Sequence, residues 1–421
     1  MNNQTTKFLI LIVLMSTLIV NAPSLAQVGW SPLTSGTIEN LTSIQFADAN
    51  TGYAAGNGGV VLKTTNSGLN WTLIQIAGAI NNTSISVVNA NTVYIGMDNG
   101  RVLLTSNGGV NWFTSFVSNS PLSSVYFTSA SKGFACGNDQ FIYGTTNSCQ
   151  SWDLFHFIGH SAGINMKCFF INSAQGWVLD NYSASGNTKL IYYTNNGGDN
   201  WINPYIINST DAFNSIHFVS TTVGYVAGNN GKIFKTENAG VNWTSQTSNT
   251  TQNLKSIIST DLSKVYASGE QGKILYSSNG GNTWLSQTSN TSNTLNCVYF
   301  APNSSTGWVC GNSGTILKTT TGGVGIRNLN SELPNSFKLY QNYPNPFNPE
   351  TNIRFDLIKN SNVKLSVFDI NGKELYSLID QSLSTGSYEY KFDGSKLSSG
   401  IYFYKIKTDN FESVGKMILN K

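Results

Sequence analysis

The sequence predicts an all-β protein: a seven-bladed β-propeller closed by its own N-terminal strand, followed by a small C-terminal β-sandwich. Three observations predict it. A unit first seen as NGGVVLKTTNSGLNW, ending at Trp71, returns ending at Trp112, Trp152, Trp201, Trp243 and Trp284. The steps between these tryptophans are 41, 40, 49, 42 and 41 residues, a period that suits a four-stranded propeller blade. Charged residues are only 11% of the 421, and Gly, Asn, Ser and Thr take their place, a mix for short strands and tight turns.

Residues 1–26 read as a secretory signal: Lys7, an uncharged apolar run from Phe8 to Val20, then Ser24-Leu25-Ala26. That run is short for a membrane span, so the mature chain is expected to start near Gln27 with no transmembrane segment. Residues 27–326 form the repeat region. In the first copy an inner strand is expected at Leu41–Phe46, a second at Gly52–Gly56, a turn at Asn57-Gly58, a third at Val60–Thr64 and an outer strand starting at Trp71. The inner strand recurs as LSSVYF, FNSIHF, LKSII and LNCVYF. The seventh copy, GTILKTTTGGVGI, stops at Ile326 without a tryptophan, while Trp30 precedes Trp71 by one period. The N-terminal strand is therefore expected to complete the last blade and close the ring.

The run Ser/Thr-x-Asn-x-Gly-x-Asn/Thr-Trp resembles the Asp-box (BNR) repeat of sialidase-like propellers, with Asn in place of the usual Asp. The longer unit GYAAGNGGVVLKTTNSGLNWT resembles the propellers of the photosystem II assembly and stability factor family. Within the box the Asn caps the turn, Gly supplies its geometry and Trp fills space between sheets. These roles are structural, and the resemblance implies fold rather than activity.

Residues 327–337 read as a polar linker and 338–421 as an antiparallel sandwich. A proline cluster (Pro344, Pro346, Pro349) marks a turn before a strand, and Asp369-Ile370-Asn371-Gly372-Lys373 reads as a hairpin turn. Further strands are expected at Asn362–Asp369, Gly386–Phe392, Gly400–Thr408 and Val414–Leu419. Tyr343-Pro344-Asn345-Pro346-Phe347, the FDINGKEL segment containing Gly372, Ser399-Gly400-Ile401-Tyr402 and the last six residues closely resemble the C-terminal sorting domain of type IX secretion cargo. That resemblance implies delivery through the periplasm to the cell surface or medium, with the secretion machinery as partner.

Composition narrows the chemistry. The repeat region carries 11 basic and 11 acidic residues and the part after Ile326 carries 12 and 10, so neither part is a basic platform for nucleic acid. Sialidase chemistry needs an arginine clamp, and the repeat region holds one arginine, Arg101. A glycosidase using paired carboxylates is the alternative to a binding module. Its candidates on one propeller face are Asp98, Asp139, Asp180 and Glu270, with His156 and His160 in the longest loop and an insertion near Asn181–Asn187 in the irregular fourth blade. The competing reading is that these acids cap turns, as Asn57, Asn229 and Asn312 do. Cys297 and Cys310 fall opposite each other in one blade and form a candidate disulfide. Cys136 and Cys168 lie in other blades without a matching partner, and Cys149 replaces a box glycine. No CxxC spacing or dense acidic motif occurs, so neither metal nor cofactor is expected. The best reading is an exported binding module for an unidentified protein or polysaccharide.

Overall fold

The computed structural model describes residues 29–78, 80–139, 141–157, 165–182, 187–302, 304–323, 326–330, 334–383, 385–394 and 397–421. Residues 1–26, read from the sequence as a secretory signal, and His160 lie outside these. Seven four-stranded antiparallel sheets form the ring and two more form the C-terminal sandwich. The first blade runs Leu41–Phe46, Gly52–Gly56, Val60–Thr64 and Thr72–Gln75, as the pattern predicted, with the outer strand starting one residue later. Ring closure is also as expected. The strand Ser31–Leu33 pairs with Ile316–Thr319 in blade seven, Ser31 opposite Lys318 and Leu33 opposite Ile316. Trp30 is buried edge-on to Phe300 of that blade at 5.8 Å, and its Nε1 donates to Gln287 Oε1 at 2.7 Å.

One aromatic arrangement recurs between blades. The last inner-strand residue is Phe46, Phe127, Phe170, Phe218 or Phe300 in five blades. Four of these rings stack on an aromatic from the second strand of the preceding blade: Tyr94–Phe127 at 3.5 Å, Phe134–Phe170 at 4.2 Å, Trp177–Phe218 at 3.6 Å and Tyr266–Phe300 at 4.1 Å. The fifth, Phe46 on Trp308 at 3.6 Å, joins blade seven to blade one. Directly opposite each Phe in the ladder is a glycine: Gly52, Gly133, Gly176, Gly224 and Gly307. A Cβ there would stand 2.3–2.5 Å from the ring. Where the inner residue is Val87 or Ser259, the opposite residue is Val93 or Val265 instead.

The box closes each third-to-outer strand turn. Thr64 Oγ1 accepts from the backbone N–H of Asn66 and Gly68 and donates to Asn66 Oδ1, which accepts from Asn70 N–H at 2.9 Å. The same set repeats around Asn107, Asn147, Asn196, Asn238 and Asn279. Glycine suits the turn because its φ is positive, +85° at Gly68; Cys149 adopts +66° in its stead.

The C-terminal part departs from expectation in two respects. The stretch 327–337, read as a linker, begins inside a strand: Ile326–Asn330 pairs with Gly386–Asp393 as an edge of a sandwich sheet. The seventh copy has no tryptophan and its place in blade seven is filled by Ser31–Leu33, so this segment is left to pair elsewhere. Strands at Ser361–Phe368, Gly386–Asp393, Gly400–Lys407 and Glu412–Leu419 match the reading, whereas Glu374–Leu383 was not foreseen. The apolar cores of blades six and seven and of the sandwich are one cluster, containing Tyr276, Trp30, Phe355 and Ile406, with Tyr390 packed against it.

The Phe–Gly exchange predicts a double-mutant result. Gly133→Val alone should destabilise by about 1–3 kcal/mol through overpacking on Phe127. In the Phe127→Val background, which copies blade two, the same change should cost at least about 1 kcal/mol less. Urea unfolding of the four proteins decides it, and equal costs in both backgrounds would reject the steric account.

Candidate functional site

The second-to-third strand turns and the loops entering each inner strand share one face. Backbone bonds join them: the N–H groups of Asn57, Asp98, Asn138, Asn229, Glu270 and Asn312 donate to the carbonyls of Asn40, Asn81, Pro121, Ala212, Asn253 and Thr294. The candidate acids of this face are each engaged within their own blade. Asp98 Oδ2 accepts from Asn81 Nδ2 at 2.8 Å. Asp139 accepts from Phe141 N–H and from Tyr143 OH at 2.9 Å, which with burial pushes the Tyr143 phenol well above its usual value. Glu270 takes Lys255 at 2.8 Å and Asn253 Nδ2, and these partners pull its carboxyl below the ordinary range.

Register separates the four acids that sequence alone placed together. Asp98 and Glu270 occupy the Asn57 position. Asp139 is one residue later. Asp180 is one residue earlier, where five other blades have glycine, and Asn181 fills the Asn57 position. In Gly56, Gly137, Gly228, Gly269 and Gly311 a Cβ would meet a backbone carbonyl at 2.0–2.5 Å. Blade four admits Asp180 because its inner strand, Lys167–Phe170, is shorter than the six-residue inner strands elsewhere. Asp180 is fully buried, with Oδ1 accepting from Tyr182 N–H at 2.9 Å. The acids thus act as turn and loop acceptors, the capping role rather than a facing carboxyl pair.

Inside the ring, side chains tie each inner strand to the next blade's backbone. Ser84, Ser124, Ser215 and Ser256 hydroxyls accept from Val125, Cys168, Ile257 and Val298 N–H at 3.0–3.2 Å. Thr42, Asn214 and Asn296 donate to the carbonyls of Asn82, Leu254 and Leu41 at 2.8 Å. Blade four uses Asn181 instead, which bonds both N–H and C=O of Phe213 at 2.7 Å. The recurring third-place serine was visible in LTSIQF, LSSVYF and LKSII; the substitution of Asn181 for it was not.

The histidines do not converge. His156 lies on an outer strand beside Tyr192, 5.6 Å between rings, and burial lowers its pKa. His217 is an inner-strand residue at 4.7 Å from Phe169. Its Nδ1 accepts from Ser259 N–H at 3.3 Å, so the ring proton sits on Nε2, and burial pulls its pKa down to about 4.

The expected Cys297–Cys310 disulfide is corrected. The two are directly opposite in the ladder but are free thiols. Cys297 takes the place of the third-position serine, and its Sγ donates to Ile44 O of blade one at 3.7 Å. A hydrogen bond from Cys310 pulls the Cys297 thiol down to about 7, while burial pushes Cys310 up. Cys136 and Cys168 do meet, across the interface of blades three and four: both lie in one apolar cluster, and Ser124, the ladder partner of Cys136, touches Cys168 Sγ at 3.3 Å. Among the described residues no group of three or more His, Cys, Asp or Glu could hold a metal ion, and no helix is long and apolar enough to cross a membrane.

In the C-terminal domain the proline motif staples the last strand. Asn345 Oδ1 accepts from Ile418 N–H at 2.9 Å and its Nδ2 donates to Lys416 O. Buried Phe347 exchanges backbone bonds with Ile418 and Asn420. The carbonyl of Pro344, followed in sequence by Asn345, Pro346 and Phe347, accepts from Asn342 and Thr351. Gly400 and Tyr402 lie on the strand beside it, opposite Leu419 and Met417. Gly372 stands apart at the hairpin turn with φ +76°. Sequence reasoning missed Asn342 and Tyr404. Both are buried, and Tyr404 OH bridges Asn342 N–H and Tyr340 O at 2.9 and 2.8 Å.

Residues 341–420 match the family of the secretion system C-terminal sorting domain, and residues 114–261 match that of photosynthesis system II assembly factor YCF48. No curated protein sequence matches the chain. Among solved structures the chain is similar to YCF48 bound to D1 peptide, 19% identical over 71% of this chain and 99% of that one, TM-score 0.59. It is similar to PorZ, an essential surface component of the type-IX secretion system of Porphyromonas gingivalis, 13% identical over 88% and 58%, TM-score 0.56. The GH74 xyloglucanase from Xanthomonas campestris is 11% identical over 86% and 63%, TM-score 0.56. At these identities the likeness is one of fold. The chain carries a YCF48-like BNR propeller and a C-terminal sorting domain.

Two measurements follow from the site. The His217 imidazole binds its proton less tightly folded than unfolded, where its pKa is about 6.5. Its neutral form costs nothing above that value, and stability is lost as pH falls from there toward about 4. The loss reaches roughly 3 kcal/mol, so the extra destabilisation of wild type over His217→Gln between pH 7 and pH 4.5 should approach it; identical pH profiles would show that His217 titrates normally. Separately, alkylation of the denatured, unreduced protein should modify all five cysteines, and a mass showing three would restore a disulfide.

Proposed function

We propose that this chain is an exported propeller, delivered by the type IX secretion system through residues 338–421 to the cell surface or medium, where its ring binds a protein or a polysaccharide. The observation that carries the reading is the C-terminal domain. The sorting-domain match spans 341–420, and its Tyr-Pro-Asn-Pro-Phe motif is built around the final strand by the Asn345 and Phe347 bonds. The likeness to PorZ, itself a surface component of that system, supports a surface setting. A signal at 1–26 supplies the periplasmic step the route requires.

Binding is favoured over hydrolysis because Asp98, Asp139 and Glu270 spend their oxygens on side chains of their own blades, Asn81, Tyr143 and Lys255. The GH74 neighbour keeps a glycosidase as the alternative, one in which Asp139 or Asp180 would be indispensable. Isolated turn acids are ordinary surface chemistry, and the face loops rich in Asn, Thr and Ser offer hydrogen bonds without a charge signature.

Removing residues 338–421 should leave the chain in the periplasm, while the full chain appears outside; cell fractionation with immunodetection reads this. Equal external amounts of both would discard the delivery reading. Applied to a glycan array, the full chain should retain any specific ligand in the Asp139→Asn variant. Turnover of a bound glycan that stops in this variant would establish the enzyme instead.

A further inference from the structure

We propose that the axis of the ring holds a monoanion, a carboxylate, on the ammonium of Lys167. The inner-strand position facing the fourth residue of the second strand is Ser43, Ser84, Ser124, Ser215, Ser256 or Cys297 in six blades and Lys167 in blade four. Four of those serines accept a backbone N–H of the following blade. An ammonium only donates, so at this position blade four gives up that tie, and Asn181 makes the junction to blade five.

The lysine turns inward. Its Nζ donates to Ser123 O, 2.7 Å away in the preceding blade. Burial lowers its pKa, and the thiols of Cys136, Cys168 and Cys297 act in the opposite sense. Lys167 and Ser123 both lie on inner strands, the strands that line the central channel of a propeller, so an ammonium bonded between the two stands beside the axis. Among the described residues no carboxylate pairs with it. Lys255, the other inner-strand lysine that reaches a partner, pairs with Glu270 at 2.8 Å.

Among the described residues this partly buried ammonium has one neutral acceptor, Ser123 O, which leaves donors and a unit charge for a ligand to meet. One negative charge balances it; a second would itself be desolvated without a partner. A carboxylate supplies that charge on two acceptor oxygens. It could belong to a free small acid or to the end of a chain entering along the axis. This inference goes beyond the export and surface-binding reading, which stands or falls separately.

The test is thermal unfolding of the full chain in sodium formate against sodium chloride at equal ionic strength. The melting temperature should rise saturably with formate, or with an acetylated tetrapeptide bearing a free but not an amidated C-terminus. A response to formate alone assigns a small acid; one to the peptide alone assigns a chain end. Lys167→Arg should keep the response and Lys167→Met should lose it while still folding. Cys297→Ser, which removes the thiol across the axis as a counter-charge, should keep it. No response from wild type, an equal response from Lys167→Met, or its loss in Cys297→Ser overturns the proposal.

Discussion

The ring depends on one phenylalanine wedged between sheets. In five blades it stacks on the preceding blade. The tryptophan of its own blade meets its edge at 5.8–6.1 Å, as in Phe46–Trp71, Phe127–Trp152, Phe170–Trp201, Phe218–Trp243 and Phe300–Trp30. Burying such a ring contributes about 1.5–3 kcal/mol, and the stacked geometry about 0.5–1.5 more. The glycine opposite exists to admit it. The ring rather than the N–H is what the tryptophans share: among the described residues Nε1 of Trp71, Trp201, Trp243 and Trp284 is buried without a partner, whereas that of Trp30, Trp112 and Trp152 donates to Gln287, Gly109 O and Ser115. Closure at blade seven uses the same stacked contact as four other junctions, so the seam is no weaker in kind than those.

Polar ties then fix the angle between blades. A hydroxyl or amide of one inner strand bonds the backbone of the next, which satisfies groups that would otherwise be orphaned beside the axis. Blade four breaks this pattern in several linked ways. Its inner strand is short, it carries Lys167 where serine is usual, Asp180 replaces a glycine, and Asn181 makes the junction to blade five. These are consequences of one change: once the inner strand starts late, the carbonyl that excludes a Cβ at Gly137 is not in the same place, and a carboxylate side chain fits. Departures of this kind from a regular repeat mark where a scaffold carries something besides stability.

Much of this was legible before any coordinates. The Trp period gave blade number, the orphan Trp30 predicted closure, and the Phe–Gly spacing is readable as IQFADANTGY and VYFTSASKGF. What escaped was register at single-residue resolution. Asp139 and Asp180 looked equivalent to Asp98, yet a shift of one residue moves a side chain to another environment. Asn342 was invisible because nothing local marks it: its partners Tyr404 and Thr351 are brought to it only by the sandwich. The thiols of Cys297 and Cys310 were placed opposite each other correctly, but the pull of Ile44 in the neighbouring blade is a contact between sequence ends.

The join between the domains follows from the same closure. Residues Ile326–Asn330 come where the fourth strand of blade seven would run, directly after the box Thr319-Thr320-Thr321-Gly322-Gly323. Because Ser31–Leu33 already pairs with that blade's third strand, a strand-forming segment emerges from the ring with its backbone bonds unmet. Pairing it with Gly386–Asp393 satisfies them and covers a sheet edge that would otherwise be open to other chains. The connection is therefore a paired strand, and with the shared core of Tyr276, Trp30 and Phe355 it makes the sorting domain an extension of blades six and seven. An unpaired polar tether would let the two domains move freely; a donated strand ties the orientation of the export domain to the completed ring.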